Sequence, residues 1–434
     1  MVLIIITIDR GNRWKDWDEK LGPLTSDVQE YYSFLPYHLL DNKDSVLKHN
    51  IDLNKRTIGM SIMYSPYFAI GHLEAKITNQ KIDGFSEPYQ KWIHIGTLIY
   101  VFFALLITRR SLLKFFDDTI VTICLIILVF ATNLFYYTYS WGEMPHAYLF
   151  FLYSIFIYMS INLIRSSNVK NLPWLFLVLG LITLIRPTDI LIVLFLMFFE
   201  ISKPLQLLVR IALLFARLKK VVLAVILFLL PIVAQLIYWK ITKGVWYISS
   251  YKGESFFFND AQILNFIFSY KKGWLLYTPI MSLSLIGIAI SYKYKKEFFT
   301  ASFLYIGITI YLLSCWWDWA YGGSFGCRAL VQSYALLVFP LAVSINFIWN
   351  SAKNLLLRYI SRGILVLVIL FSIKLNVLQS GQYKYNIIHW DGMTKAAYWF
   401  SFGDEQVTQT EMDSLVKLFK RPNHTQLIEG KRDE

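Results

Sequence analysis

The chain is short of charge, of cysteine and of every compact nucleotide or metal signature. Asp, Glu, Lys and Arg make up only 16% of its 434 residues, where a soluble globular domain carries about 25%. That argues strongly against a soluble enzyme and excludes a disordered or fibrous chain. Three cysteines, Cys124, Cys315 and Cys327, form neither a disulfide framework nor a zinc spacing. Cys124 lies in an apolar run, while Cys315 and Cys327 flank one short loop and could pair. No Walker A, Rossmann glycine pattern, HExxH helix or paired CxxC is present. Nucleotide use and a structural metal therefore lack support.

What the chain has in quantity is apolar and aromatic surface, with 56% hydrophobic and 17% aromatic residues. Ten apolar segments stand out, at about 92–108, 119–137, 145–164, 171–185, 188–200, 221–239, 277–292, 298–314, 330–349 and 363–378. A bilayer core takes roughly 20 apolar residues per helix, and only a helix satisfies its own backbone in lipid. The expected fold is an all-α polytopic transmembrane bundle of about 10–11 spans. The pair 171–185 and 188–200, split by Arg186-Pro187, reads as two short spans or as one broken or re-entrant element. Met1–Ile8 is apolar but too short to span and lacks the marks of a signal peptide. It reads either as the outer end of a helix that starts upstream or as a frayed terminus. The segment 204–218, with Arg210 and Arg217 one heptad apart, suits a helix lying along the inner interface.

The net charge of +13 would suggest nucleic acid on a soluble protein. Here it has another explanation. Alternate loops hold Arg109, Arg110 and Lys114; Arg165 and Lys170; Lys203, Arg210, Arg217, Lys219 and Lys220; Lys293, Lys295 and Lys296; and Lys353, Arg358 and Arg362. The acids among them are Asp117, Asp118, Glu200 and Glu297. Nearly all the excess thus falls on one side, which the positive-inside rule makes cytoplasmic. No nucleic-acid partner is needed. Residues 9–91, 138–144, the Arg186 turn, 240–276, 315–329 and the tail fall outside. The expected organisation is a transmembrane domain over 1–379, whose first outer loop at 9–91 carries interfacial helices, and an extracytoplasmic tail over 380–434.

The outer loops crowd charged and aromatic residues beside the membrane. In Leu24–His38, Ser26 or Asp27 can cap a helix with Gln29 or Glu30 closing a capping box; alternatively Asp27 is a carboxylate poised as a general base. Lys271 and Lys272 are interface anchors or point charges for a phosphate. Cys315–Arg328 holds Trp316, Trp317, Trp319 and Tyr321, which alone would be an aromatic belt. Gly322, Gly323 and Gly326 with Asp318 and Arg328 go beyond a belt, because glycine admits close backbone approach and arginine offers a bidentate fork for phosphate. Gly322–Gly326 also matches G-x-S-x-G, but that elbow needs a strand-turn-helix corner, and its flanks here are apolar helices. Arg186 stands between two outer helix ends, where a charge usually has a partner. Glu143 and His146 sit at another outer helix end and either line a cavity or cap a helix.

Taken along the chain, these pieces resemble the GT-C superfamily of polytopic glycosyltransferases, which includes the protein O-mannosyltransferases and the lipid A aminoarabinose transferase. The stretches that carry the likeness are Ser26–Pro36, Gly59–Pro66, Ala131–Tyr137, Met144–Ala147, Leu184–Thr188, Gly273–Pro279 and Trp316–Gly326, in family order over nearly the whole sequence. In such proteins an acid in the first outer loop is the catalytic base, and Asp27 stands at the matching position. Members often have two adjacent acids there, whereas this chain has Asp27-Val28 with Glu30 next. The resemblance implies a polyprenyl-phosphate sugar donor and a glycan, lipid or protein acceptor on the outer face of a bacterial plasma membrane.

Chemistry on such a donor would proceed with inversion at the anomeric carbon. The leaving phosphate calls for positive charge, for which Arg328, Lys271, Lys272 and Arg186 are the candidates. Glu143, His146, Trp316, Trp317, Asp318 and Tyr321 are candidates for the substrate cavity. No cofactor is implied, and a divalent metal is admitted but not required. Two other classes compete. A carrier or flippase for a lipid-linked glycan would place ionisable groups near the midplane, and the spans lack them; Lys374 lies near an outer end. A non-catalytic envelope subunit would dock through the tail, at Trp390, Asp391, Met393, Trp399 and Phe400.

Overall fold

The structure, a computed structural model, describes residues 24, 27–40, 53, 56–166, 169–249, 251, 253–350 and 354–431, apart from the side chains of 213 and 214. Met1–Ile8 and the Ser26 cap lie outside the described residues. The fold is helical throughout, 73% of it helix with no strand among the described residues. A lone antiparallel bridge joins Phe256 to Trp316.

All ten apolar segments are mostly helix, though the 119–137 segment leaves its helix after Phe130. Among the described residues, six helices are long and apolar enough to cross a membrane: Glu87–Leu112, Pro145–Ser166, Leu218–Lys243, Lys296–Ser314, Arg328–Asn350 and Leu355–Lys384. Others are short. Asp118–Phe130 and Ser282–Tyr294 have 13 residues each, about 20 Å of helix against a core of about 30 Å. At the Arg186-Pro187 break, the Leu172–Ile185 helix ends in extended backbone at Arg186 (φ −144°, ψ 109°), as the residue before proline prefers. A 3-10 turn over Pro187–Ile192 and a short helix over Val193–Phe198 follow, so this is a broken element. The 204–218 segment forms a helix over Pro204–Phe215. Its Arg210 donates to the Leu196 and Met197 carbonyls at 3.1 and 3.0 Å, closing the end of the Val193–Phe198 helix.

The chain divides into two compact units. The first comprises 1–107, 137–190 and 211–252. Pro145–Ser166 is its core helix, 67% buried, while Leu218–Lys243 is 11% buried. An apolar helix that exposed belongs in lipid, where its Leu and Ile side chains are as well solvated as the acyl chains. Gly180 lets Leu172–Ile185 approach Leu218–Lys243 closely; a Cβ there would stand 2.3 Å from the Phe228 carbonyl oxygen. The first loop supplies helices Asp27–Tyr32, Phe34–Leu39 and Gly59–Ile77. Ser61 Oγ donates to the Tyr31 carbonyl at 2.5 Å, and the Tyr32 hydroxyl donates to the Gly84 carbonyl.

The second unit comprises 108–136, 191–210 and 253–434. Arg328–Asn350 is its core, 83% buried, and Leu355–Lys384 is 11% buried. Gly287 faces Pro340 so closely that a Cβ would lie 1.8 Å from the Pro340 carbonyl oxygen, a small-residue crossing of the kind that packs membrane helices. Phe115, Phe298 and Phe339 form an aromatic knot with ring centroids 4.8–6.1 Å apart. The Leu355–Lys384 helix runs through position 379 without a break. Its Gln379 donates to the Tyr398 hydroxyl at 2.9 Å and its Gln382 to the Ser401 carbonyl at 2.6 Å. The tail helices Lys395–Phe400, Gln409–Val416 and His424–Ile428 therefore belong to the same compact unit. Asp391 and Met393, placed by the sequence on a docking surface, are buried at 1% and 4%. Trp390, Trp399 and Phe400 are exposed.

Candidate functional site

In the first unit, Asp27 opens the helix Asp27–Tyr32 and Glu30 follows on the same turn. Two carboxylates three residues apart on a helix repel. A cation between them resolves the repulsion, and Arg56 supplies it. Its Nη2 donates to Asp27 Oδ1 at 3.0 Å and its Nε to Glu30 Oε2 at 2.9 Å. Its Nη1 donates to the Tyr251 hydroxyl, and the guanidinium lies 5.2 Å from the Tyr31 ring centroid and 5.4 Å from that of Tyr251. Such planar, forked contacts suit arginine and not lysine.

The side chains of Arg56, Glu30 and Asp27 are 12%, 19% and 33% exposed, so Asp27 is the more accessible of the two carboxylates. Burial works against the charge on Arg56. The neighbouring Tyr31, Tyr251, Asp27 and Glu30 outweigh it and hold its pKa above the ordinary arginine value. Burial pushes Tyr31 up to about 12, against the pull of Arg56, with Tyr251 and Asp27 adding to the rise and Arg186 opposing it. Tyr31 is a neutral phenol near pH 7, and the charge of Arg186 bears on it more weakly than that of Arg56.

Arg186 is brought near Tyr31 by the chain around Gly59. Thr57 Oγ1 donates to the Leu184 carbonyl at 2.6 Å, and Ile58 N–H to Gln235 Oε1 at 2.8 Å. A Cβ on Gly59 would lie 2.7 Å from Ile185 Cγ1. The Gly59 and Arg186 motifs therefore pack on one another, which their spacing in sequence does not show.

Glu143 and His146 are elsewhere in this unit and buried. Glu143 Oε1 lies 2.8 Å from His94 Nδ1, with side chains 0% and 1% exposed. The Glu143 carbonyl accepts from the Tyr64 hydroxyl. This pair ties the 138–144 loop to the Glu87–Leu112 helix. The His146 ring stands edge-on to Tyr137, with centroids 5.2 Å apart.

In the second unit the Cys315–Arg328 loop is tightly folded. Tyr321, Gly322 and Gly326 have φ of 61°, 60° and 57°, a region open to glycine at no cost and strained for tyrosine. Trp316 packs on Phe256 with centroids 4.7 Å apart, and Trp317 Nε1 donates to Glu254 Oε2 at 2.7 Å. Asp318 Oδ1 accepts from Ala320 N–H at 3.2 Å, and the Tyr321 hydroxyl donates to the Leu313 carbonyl at 3.1 Å. Ser324 is fully buried, with its hydroxyl 3.4 and 3.3 Å from the Gly322 and Gly326 carbonyls. Cys315 and Cys327 are free thiols; the pairing their positions suggested does not form.

The two lysines are engaged within this unit. Lys272 is 3% exposed, donates to the Ser324 carbonyl and sits over the Tyr383 ring at 5.3 Å. Burial lowers its pKa to about 7, with Asp391 and Asp318 opposing the drop and Arg328 and Lys271 adding to it. Lys271 Nζ lies 3.2 Å from Asp391 Oδ1, and His424 Nε2 lies 2.8 Å from Asp391 Oδ2. The tail acid is thus clasped between two bases.

Arg56, Tyr251, His94, Asp391 and His424 are the partners that reading the sequence missed as site residues. Arg56 is a cation in the same acid-bearing first loop, but it lies 29 residues from Asp27 and 195 from Tyr251. No local pattern pairs residues so far apart. No protein-family model, no curated protein and no solved structure matches the chain.

Proposed function

We propose that the chain is an integral-membrane glycosyltransferase that moves a sugar from a polyprenyl-phosphate donor to an acceptor hydroxyl on the extracytoplasmic face of a bacterial plasma membrane. The observation that supports this reading most is the Asp27–Arg56–Glu30 centre. It holds a partly exposed carboxylate, oriented by arginine, in a unit whose apolar helices suit a bilayer. A lipid-linked donor keeps its phosphate at the interface, so its catalyst must gather polar groups at helix ends. In this reading Asp27 takes the acceptor's hydroxyl proton as the oxygen attacks the anomeric carbon. The carbon–oxygen bond to phosphate breaks with its electron pair, leaving polyprenyl phosphate and an inverted sugar. Arg186, whose field reaches Tyr31 together with that of Arg56, supplies positive charge for the leaving group. Lys271 and Lys272 are engaged by Asp391 and the Ser324 carbonyl, and they are weaker candidates for that role.

The test uses the purified full-length protein and labelled polyprenyl-phosphate sugars. Asp27→Asn keeps the size and an acceptor for Arg56 but loses the base. Transfer should fall by about 10² to 10⁴, the usual contribution of acid–base catalysis, with thermal unfolding little changed. Wild-type transfer by a folded Asp27→Asn protein would remove Asp27 from the mechanism. Accumulation of the lipid-linked sugar across vesicles without transfer would mark a carrier instead.

A further inference from the structure

We propose that Arg56 is the positioning residue of the proposed catalytic centre and that Tyr251 holds it in place. This rests on the reading of Asp27 as base. Arginine's fixed fork explains the arrangement. Neighbouring nitrogens Nε and Nη2 hold Glu30 and Asp27, one carboxylate each, at 2.9 and 3.0 Å. The remaining nitrogen, Nη1, is tied to the Tyr251 hydroxyl. The Tyr31 and Tyr251 rings lie within cation–π distance of the guanidinium, with centroids 5.2 and 5.4 Å away. A guanidinium bonded through three nitrogens and flanked by two rings is restrained, and each carboxylate is held by it through one hydrogen bond.

The two acids therefore take different roles. Glu30 is the less exposed, and its bond to Arg56 anchors the fork to the helix. Asp27, more exposed, is presented to substrate. A base misplaced by about 1 Å can cost a hundredfold in rate. Removing Arg56 would also return the two carboxylates to mutual repulsion on one helical turn. Tyr251 reaches this centre from a stretch next to Gly244, which adopts φ 75° after the Leu218–Lys243 helix. The glycine turns the chain out of the helix and lets it return over Arg56.

The experiment measures kcat and KM for transfer from a labelled polyprenyl-phosphate sugar by the full-length protein and its Arg56→Ala, Arg56→Lys, Tyr251→Phe and Asp27→Asn variants. Arg56→Ala should lose up to about a hundredfold in kcat, with a smaller change in KM. Millimolar guanidinium ion should restore part of that loss in Arg56→Ala and none in Asp27→Asn. Arg56→Lys keeps the charge but not the fork, and it should stay impaired. Tyr251→Phe keeps the ring and loses the hydroxyl, so its kcat should fall less than that of Arg56→Lys. If Arg56→Ala fails to fold, Arg56→Lys and Tyr251→Phe decide: wild-type kcat in both overturns the proposal. Loss in Arg56→Ala that guanidinium leaves untouched also overturns it. An active Asp27→Asn protein brings down the base and this inference together. An inactive Asp27→Asn beside fully active Arg56 variants brings down this inference alone.

Discussion

The two units solve opposite electrostatic problems. In the first, one cation, Arg56, sits between two carboxylates, and the acids remain 33% and 19% exposed. In the second, one carboxylate, Asp391, sits between Lys271 and His424 with its own side chain 2% exposed. The first arrangement leaves a carboxylate within reach of solvent, as the proposed base role of Asp27 requires. The second buries the anion between two basic side chains. Clusters of similar composition thus point to different roles, and the difference lies in which sign is in the middle and how much of it water can touch.

The largest expected separation comes from removing the central or reactive acid in each unit. Asp27→Asn should leave stability nearly intact and cut transfer by about 10² to 10⁴. Asp391→Ala should do the reverse. Loss of a hydrogen-bonded buried anion costs about 1–3 kcal/mol, discounted because the His424 side chain is 44% exposed, and it should show in thermal unfolding. If Asp391→Ala abolished transfer without lowering the melting temperature, the contrast would collapse.

Next in size is packing. Gly287→Ala places a methyl group against the Pro340 carbonyl and should destabilise by about 1–3 kcal/mol. Gly307→Ala, on a face with open space around it, should not destabilise. Equal melting temperatures would mean that the two helices part easily.

A pH series sharpens the second unit. Burial lowers Lys272 from the ordinary lysine value to about 7. Between about 7 and the ordinary value the unfolded chain carries the proton that the folded chain has shed. The destabilisation from burying this amine is therefore full below about 7 and relieved as pH rises through that window. Lys272→Met should flatten the rise in melting temperature from pH 7 to 10 relative to wild type. An unchanged slope would show that the amine keeps an ordinary proton affinity.

Smallest is the topological test. Cysteines at exposed Asn79 and Gln409 should react with an impermeant thiol reagent on intact cells if the basic loops are cytoplasmic. Labelling only after permeabilisation would invert the orientation and remove the basis for an outer-face reaction.

Much of the architecture was legible in advance because hydropathy is a local property. Every apolar segment is mostly helix, Pro187 broke its element where the ring removes a donor, and 204–218 became the Pro204–Phe215 helix. The count of spans was less legible. A run of apolar residues reports burial in lipid or in protein alike, and Asp118–Phe130 and Ser282–Tyr294 stop short of a bilayer's thickness.

By itself, then, the sequence determined the helical class, the apolar character of the long helices, the basic asymmetry of the loops and the acid at position 27. Each follows from residue type or from neighbours within a turn or two. Only the tertiary structure decided that Arg56 stands between Asp27 and Glu30, that Tyr251 holds Arg56, that Glu143 pairs with buried His94, and that Lys271 and Lys272 are engaged by Asp391 and the Ser324 carbonyl. These contacts join residues tens to hundreds of positions apart. Whether a charge is exposed, paired or buried depends on which distant segment folds over it, and no local periodicity records that.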